Sequence, residues 1–336
     1  METNSTVTQR RLPLHSRYVN VSMIEHEGWL LPRAFGPLRT ETSLLADGRA
    51  FVDFSDRGVL KIEGNDARDW FHRMSTSDFT DFTEANPLQT ALLTEKGRII
   101  DSVVVFRRDG IVWVITSRGA SGTVLQWMEK YVIMEDLRIS DETGDHTVLV
   151  KLDPRLNTRD SARETVGPSP VRIRFFGVNA SFYFDGESED LSSSVQVGLD
   201  AYEAFRIRHG IPEYGKEILG DFNPLELGLW DQISFRKGCY VGQEVIARLD
   251  TYNKVQKNLC RVRFKGGHSW KTSRLLSADG DSVGKVTSAI ADSEDHQSSV
   301  GLAVVKSGYA DLGQTLLFDD GSTVSIEKVF GGRGEE

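Results

Sequence analysis

Lys237-Gly238-Cys239-Tyr240-Val241-Gly242-Gln243-Glu244 is the stretch from which the rest of the chain is best read. Two glycines bracket a single thiol, so the backbone can turn tightly on either side of Cys239 and approach a ligand closely. Beyond them Val245, Ile246 and Leu249 share one helical face, which predicts a helix from Gln243 to about Tyr252. Gly242 and Gln243 then stand at its N-terminus, where unpaired N–H groups and the positive end of the dipole favour an anion. The bland alternative is a cysteine buried in a glycine-rich turn.

Outward from this segment the pattern is α+β. Val59-Leu60-Lys61-Ile62 reads as a strand, and Ala67, Trp70, Phe71 and Met74 as the buried stripe of a helix capped by Asn65 or Asp66. Residues 91–93, 99–106 and 111–115 are strand-like, and Asp109-Gly110 between the last two is a hairpin signal. Val124, Leu125, Met128, Tyr131 and Val132 mark another helix. Residues 148–152 and 171–184 read as further strands, 154–170 and 185–194 as polar loops, and 200–209 as a helix stopped by Gly210 and Pro212. After Cys260 the runs are short and glycine-punctuated, the pattern of a small β-barrel or sandwich.

Strands and helices do not alternate as a doubly wound sheet requires. The expected organisation is an irregular arm over residues 1–45, where Pro13, Pro32 and Pro37 fall, then α+β units at 46–145 and 146–255 and a β-barrel at 256–331.

Composition narrows the function classes. In 336 residues, 40 basic and 49 acidic side chains give a net charge of -9, and residues 201–260 carry eight of each, so no basic groove for nucleic acid is expected. Apolar runs fall short of the roughly 20 residues of a membrane span. Two cysteines, Cys239 and Cys260, make neither a disulfide framework nor a zinc motif, and the histidines are scattered, so no metal site is expected. A reducing cytosol is the natural setting; an organellar matrix is the alternative if residues 1–24, with Arg10, Arg11, Arg17 and the lone acid Glu2, act as a transit peptide. Rossmann, phosphate-loop, nucleophile-elbow and H-E-x-x-H motifs are absent from the sequence.

The 237–244 segment, with Arg248 four residues on, resembles the signature of YgfZ/GcvT-like folate-binding proteins, relatives of the glycine-cleavage aminomethyltransferase. Similar matches occur at Arg206-Ile207-Arg208-His209-Gly210-Ile211-Pro212-Glu213, at Asn223-Pro224-Leu225-Glu226, at residues 92–99, at Tyr131-Val132, at residues 284–288 and at Gly301-Leu302-Ala303, so the resemblance spans roughly residues 50 to 330. It implies three domains around a central channel that holds tetrahydrofolate. Residues of the signature that it assigns to the folate are Lys237, Gly238, Tyr240, Gly242, Gln243 and Glu244. Tyr202, Trp230 and Tyr240 are expected as walls for the pterin, Lys237 and Arg248 as partners of its carboxylates, and Arg206 as a further partner or a brace. Asp101 resembles the acidic position beside the reactive folate nitrogen, and Cys239 is the expected functional thiol.

Two departures bear on the reaction. Aminomethyltransferases resemble L-R-L-E where this chain has Phe205-Arg206-Ile207-Arg208, and K-G-D-F-I-G where it has Cys239 in place of the acid. The resemblance therefore favours the YgfZ branch, which implies a tetrahydrofolate-dependent role in assembly or repair of iron-sulfur proteins, with assembly proteins or client enzymes as partners. The alternative is an aminomethyl or one-carbon transferase with Asp101 as its acid/base group.

Overall fold

The computed structural model describes residues 9–155, 170–186, 189–265, 273–295 and 297–331. Its helices are α1 (Leu38–Ala46), α2 (Ala67–Met74), α3 (Ser121–Tyr131), the single turn α4 (Glu189–Ser192), α5 (Leu199–His209) and α6 (Gln243–Thr251). The class is α+β with a closed C-terminal barrel, as the sequence pattern indicates.

A five-stranded antiparallel sheet runs Leu88–Leu93, Ile99–Arg108, Ile111–Arg118, Arg57–Glu63, Arg138–Asp141. Strand alternation gives it two apolar faces. Val103, Val105, Val112 and Val114 pack on Trp70 and Phe71 of α2 and Val124 and Met128 of α3. On the other face Val104, Phe106, Trp113 and Ile115 meet Phe54, Val150 and Tyr202. The Asp109-Gly110 hairpin forms as expected, both residues at positive φ (54° and 79°) between Arg108 and Ile111. Asp66 does precede α2, but its side chain makes no cap; its Oδ2 instead accepts the Asp136 N–H at 2.8 Å.

The second sheet runs Val171–Phe175, Val178–Phe184, Val148–Asp153, Ala50–Asp53, Val195–Val197. Ala50–Asp53 precedes the first sheet in sequence yet pairs with strands 100 and 145 residues later, Val52 opposite Val150 and parallel to Val197. The two sheets are thus interleaved in the chain, and a division between units at 46–145 and 146–255 parts Ala50–Asp53 from the sheet it belongs to.

The arm read as irregular is not so. Arg10–Arg11, Trp29–Ala34 and Ser22–His26 form a small sheet, turned at Glu27 (φ 51°) and Gly28 (φ 76°), and α1 follows. Pro32 is accommodated beside the bulge between Ser22 and Met23, and Pro37 lies just before α1, so neither proline interrupts an element. Buried Glu41 holds this region in place: Oε1 accepts the N–H groups of Phe35 (2.6 Å) and Gly36 (2.5 Å), and Oε2 accepts that of Gly198 (2.8 Å). Residues 1–8 of the possible leader and 156–169 of the loop expected at 154–170 lie outside the described residues.

The barrel closes in the order Lys257–Lys265, Ser298–Lys306, Ser282–Ala291, Arg274–Leu276, Thr315–Leu317, Thr323–Val329. One apolar cluster joins it to the rest of the molecule: Leu259, Leu302 and Val304 of the barrel pack with Leu93 and Ile99 of the first sheet and with Phe222, Tyr240 and Ile246 from the intervening segment. Among the described residues no helix is long and apolar enough to cross a membrane.

Candidate functional site

The signature segment is braced from below. Lys237 is buried, and its Nζ donates to the carbonyls of Ser75 and Ser77, both at 2.7 Å, under the ring of Tyr240 at 5.2 Å. Burial pulls the ammonium down to about 8. Lys237 is therefore committed to closing the segment onto the turn after α2. Gly242 (φ 80°) precedes α6, which begins at Gln243 as expected; a Cβ there would lie 2.6 Å from the Thr94 carbonyl oxygen. By contrast a Cβ on Gly238 would meet nothing within 4 Å, so space does not demand a glycine at that position. Cys239 is exposed, whereas Cys260 is buried in the barrel and its thiol is pushed up to about 12 by burial. Glu244 and Arg248 project from α6 as exposed side chains, and Gln243 is half-buried.

Arg206 is a brace. It is fully buried on α5, donates through Nε and Nη2 to the two carboxylate oxygens of Glu203 (2.9 and 2.8 Å), through Nη1 to Glu217 (3.3 Å), and through Nη2 to Ser288 of the barrel (2.7 Å). A guanidinium so engaged has no donor pair left for a folate carboxylate. Arg208, two residues on, pairs with Asp292 (3.1 Å) and Glu294 (3.3 Å), again on the barrel.

Tyr202 is fully buried, its hydroxyl accepting from Arg57 Nη2 at 3.0 Å and its ring edge-on to Phe54 at 4.9 Å. Next to it lies a charged core. Arg118 binds Asp56, and Glu213 is held loosely by Arg118 (3.6 Å), Arg57 (3.7 Å) and Arg206 (3.7 Å). Arg57 Nε, Arg118 Nη1 and both Glu213 carboxylate oxygens are buried without a hydrogen bond. Asp101 joins this set: it is fully buried, Oδ2 accepts the Ser117 N–H at 2.8 Å, and Oδ1 has no partner. Burial pushes its carboxyl up to about 6.

The larger cavity, about 1060 Å³, is bounded by Ser77 of the loop after α2, Leu88 and Gln89 of the first sheet, Ile173 of the second sheet and Phe176 of the turn that follows it, the end of α5 (His209, Gly210), the 227–234 segment and Phe330. Its wall is organised by amides. Ser102 Oγ donates to Gln232 Oε1 (2.7 Å) and accepts from Gln89 Nε2 (3.0 Å), and Gln89 Oε1 accepts the Phe176 N–H (2.8 Å). Gln232 Nε2 has no hydrogen-bond partner among the described residues. His209 stacks on Phe205 at 4.2 Å and is brought down to about 4 by burial and by Lys328, Arg261 and Arg208, so it presents a neutral imidazole. Arg172 and Arg174 are exposed at the cavity's edge, and Arg174 pairs with Asp231 at 3.3 Å.

The structure thus distributes the expected site residues over three places. Lys237 and Tyr240 lie under the signature turn, Cys239, Glu244 and Arg248 on its surface, and Arg206, Tyr202 and Asp101 in the buried charged core. Trp230, half-buried, donates its Nε1 to the Gly331 carbonyl at 3.1 Å. None of the twelve residues singled out from the sequence is among those lining the cavity. Gln89, Gln232, His209 and Phe176, which do line it, carry no motif of their own; only the neighbouring match at 206–213, which contains His209, pointed toward them. Among the described residues no group of three or more His, Cys, Asp or Glu is placed to hold a metal ion.

Comparison with known proteins places these features in context. Residues 14–153 match the GCVT N-terminal domain model. A putative chloroplastic transferase of Arabidopsis thaliana is 26% identical over 297 residues, covering 80% of this chain and 68% of that protein. The aminomethyltransferase of Staphylococcus carnosus (strain TM300) is 22% identical over 340 residues, covering 92% and 93%. In three dimensions the crystal structure of glycine cleavage system aminomethyltransferase T from Bartonella henselae superposes with a TM-score of 0.79 at 15% identity, over 97% of this chain and 98% of that one, which establishes a shared fold.

Proposed function

We propose that this GcvT-like chain binds a reduced folate in the cavity where its two sheets, α5 and barrel meet, and that it handles a one-carbon unit there. The cavity wall is the observation that carries the reading. Ile173, Phe176 and Leu229 offer apolar area to a flat ring, Gln232 offers an amide nitrogen to an amide-like edge, and Arg172 and Arg174 stand where carboxylates can be met. The similarity to proteins named aminomethyltransferases points the same way. A bound tetrahydrofolate would supply the nitrogen that carries the one-carbon unit. The chain's own part is to orient the ring, exclude water and hold a proton. Asp101, whose carboxyl burial pushes up to about 6, changes charge near neutrality, but it lies in the buried charged core and not in the cavity lining, so it serves only a folate that reaches into that core.

Transfer in the manner of the glycine-cleavage enzyme is a narrower reading, and Arg208 weighs against it because a cation turned to Asp292 and Glu294 stands where those enzymes resemble L-R-L-E. A second reading, maintenance of iron-sulfur proteins, rests on Cys239, an exposed thiol on a turn braced by Lys237. Incubating the protein with tetrahydrofolate and formaldehyde or an aminomethyl donor separates the two. Binding with turnover selects transfer. Binding without turnover, together with lost iron-sulfur enzyme activity in cells carrying only Cys239→Ser, selects maintenance. Absence of folate binding overturns both.

A further inference from the structure

A second hollow, of about 580 Å³, lies where the barrel meets the 221–222 turn and shares no lining residue with the cavity. Its apolar walls are Phe222, Val283 and Val304; around them stand Lys257, Arg274, Lys285 and Lys306, with Asp221 as the acid in the lining. The ammonium groups of Lys257 and Lys285 both come over the ring of Phe222, at 5.0 and 5.4 Å. That ring is fixed: Phe222 is buried, its carbonyl accepts the Ile99 N–H at 2.9 Å, and the Asp221 carbonyl accepts from Arg98 at 2.8 Å.

Three arginines of the barrel, one of them in this lining, have carboxylate partners. Arg261 and Arg263 share Glu327, and Arg274 has Asp319 at 2.8 Å. Lys257 and Lys285 have no carboxylate partner among the described residues. Glu226, which senses the charge of Lys257, is itself held by the Asn223 N–H and Arg98. Among the described residues Lys306 is bound only to the Ser282 carbonyl, at 2.8 Å. Two ammonium groups drawn to one aromatic ring repel each other, and in a chain of net charge -9 such a concentration is not a by-product of composition. A surface lysine merely solvated would extend into water; these converge on a concave apolar floor.

We propose that this hollow binds a small molecule carrying two or more oxyanion charges, held between Lys257 and Lys285 against Phe222, with Lys306 as a third contact. The claim is independent of what the larger cavity binds. Tripolyphosphate and citrate serve as probes for phosphate and carboxylate chemistry, titrated calorimetrically into the full chain at low and at raised salt. At least one should bind saturably at one site, more weakly as salt rises, and at least about tenfold more weakly to Lys257→Gln/Lys285→Gln. Lys257→Arg/Lys285→Arg should retain binding, because the charge is kept; the single exposed variant Lys285→Gln gives the same comparison if the double variant fails to fold. Which probe binds assigns the oxyanion class. No saturable binding below about 10 mM of either probe, or equal binding to the glutamine variants, overturns the proposal.

Discussion

Gly242 and Gly97 pack backbone against backbone: a Cβ added at Gly242 would sit 3.1 Å from the Gly97 Cα, and one added at Gly97 would sit 2.9 Å from the Val245 Cβ. This contact locks the signature turn onto the hairpin that leads into the strand of Asp101, and both glycines have positive φ, 80° and 67°. Gly242→Ala should therefore cost about 1–3 kcal/mol, from strain and from a clash with the Thr94 carbonyl. Gly238→Ala, which meets open space, should change stability by no more than about 0.5 kcal/mol. Urea unfolding of the two variants measures the difference.

Asp101 makes stability depend on pH in the direction opposite to an ion-paired acid. Its native carboxyl titrates at about 6 against an ordinary 3.8, so the folded protein holds a proton that the unfolded chain releases. The cost of ionising it in the core is absent below pH 4 and fully present above about pH 7, and at roughly 1.4 kcal/mol per pH unit it amounts to about 3 kcal/mol. Asp101→Asn keeps the Ser117 N–H bond and removes that cost. The variant should equal wild type near pH 4 and exceed it at pH 8; a constant difference across that range contradicts the assignment.

Arg206 should be intolerant of truncation. Arg206→Ala leaves buried Glu217 without its cation, takes one of the three arginines from buried Glu213 and leaves Glu203 with Lys216 alone, and should destabilise by about 3–5 kcal/mol. A ligand-binding arginine of the kind expected from the sequence would instead lower folate affinity with little change in the unfolding midpoint, so measuring both quantities on this variant decides which description holds.

The two thiols should differ by accessibility. Alkylation of native protein near pH 8 is expected to modify Cys239 at least about a hundredfold faster than Cys260, which reacts only after the barrel opens. Mass spectrometry of Cys239→Ser and Cys260→Ser assigns each rate.

What was legible in the sequence follows from local physics. Periodicity found α2, α3 and α6, Gly210 marked where α5 stops, and the Asp109-Gly110 pair marked its hairpin. The small N-terminal sheet was hidden because Glu27-Gly28 is a less recognisable turn pair and because Pro32 and Pro37 look like breaks until a bulge and a helix start are seen to absorb them. Ala50–Asp53 was hidden for a different reason: four residues whose partners lie 96 to 145 positions away leave no local signal. The same limit explains the cavity. Gln89, Gln232 and Phe176 become one wall only when two sheets and a loop meet, whereas Arg206 and Lys237, conspicuous in the motifs, turn out to hold those parts together.

The central claim is that a reduced folate occupies the cavity lined by Gln89, Gln232 and Phe176. Ser234 lines the same cavity and is half-buried, so Ser234→Trp places an indole in the space without removing a core side chain. Calorimetric titration with 5-formyltetrahydrofolate should give saturable one-to-one binding to wild type, and binding at least about a hundredfold weaker to Ser234→Trp at an unchanged unfolding temperature. Equal affinity in the two proteins, or no binding to wild type at millimolar folate, would contradict the account.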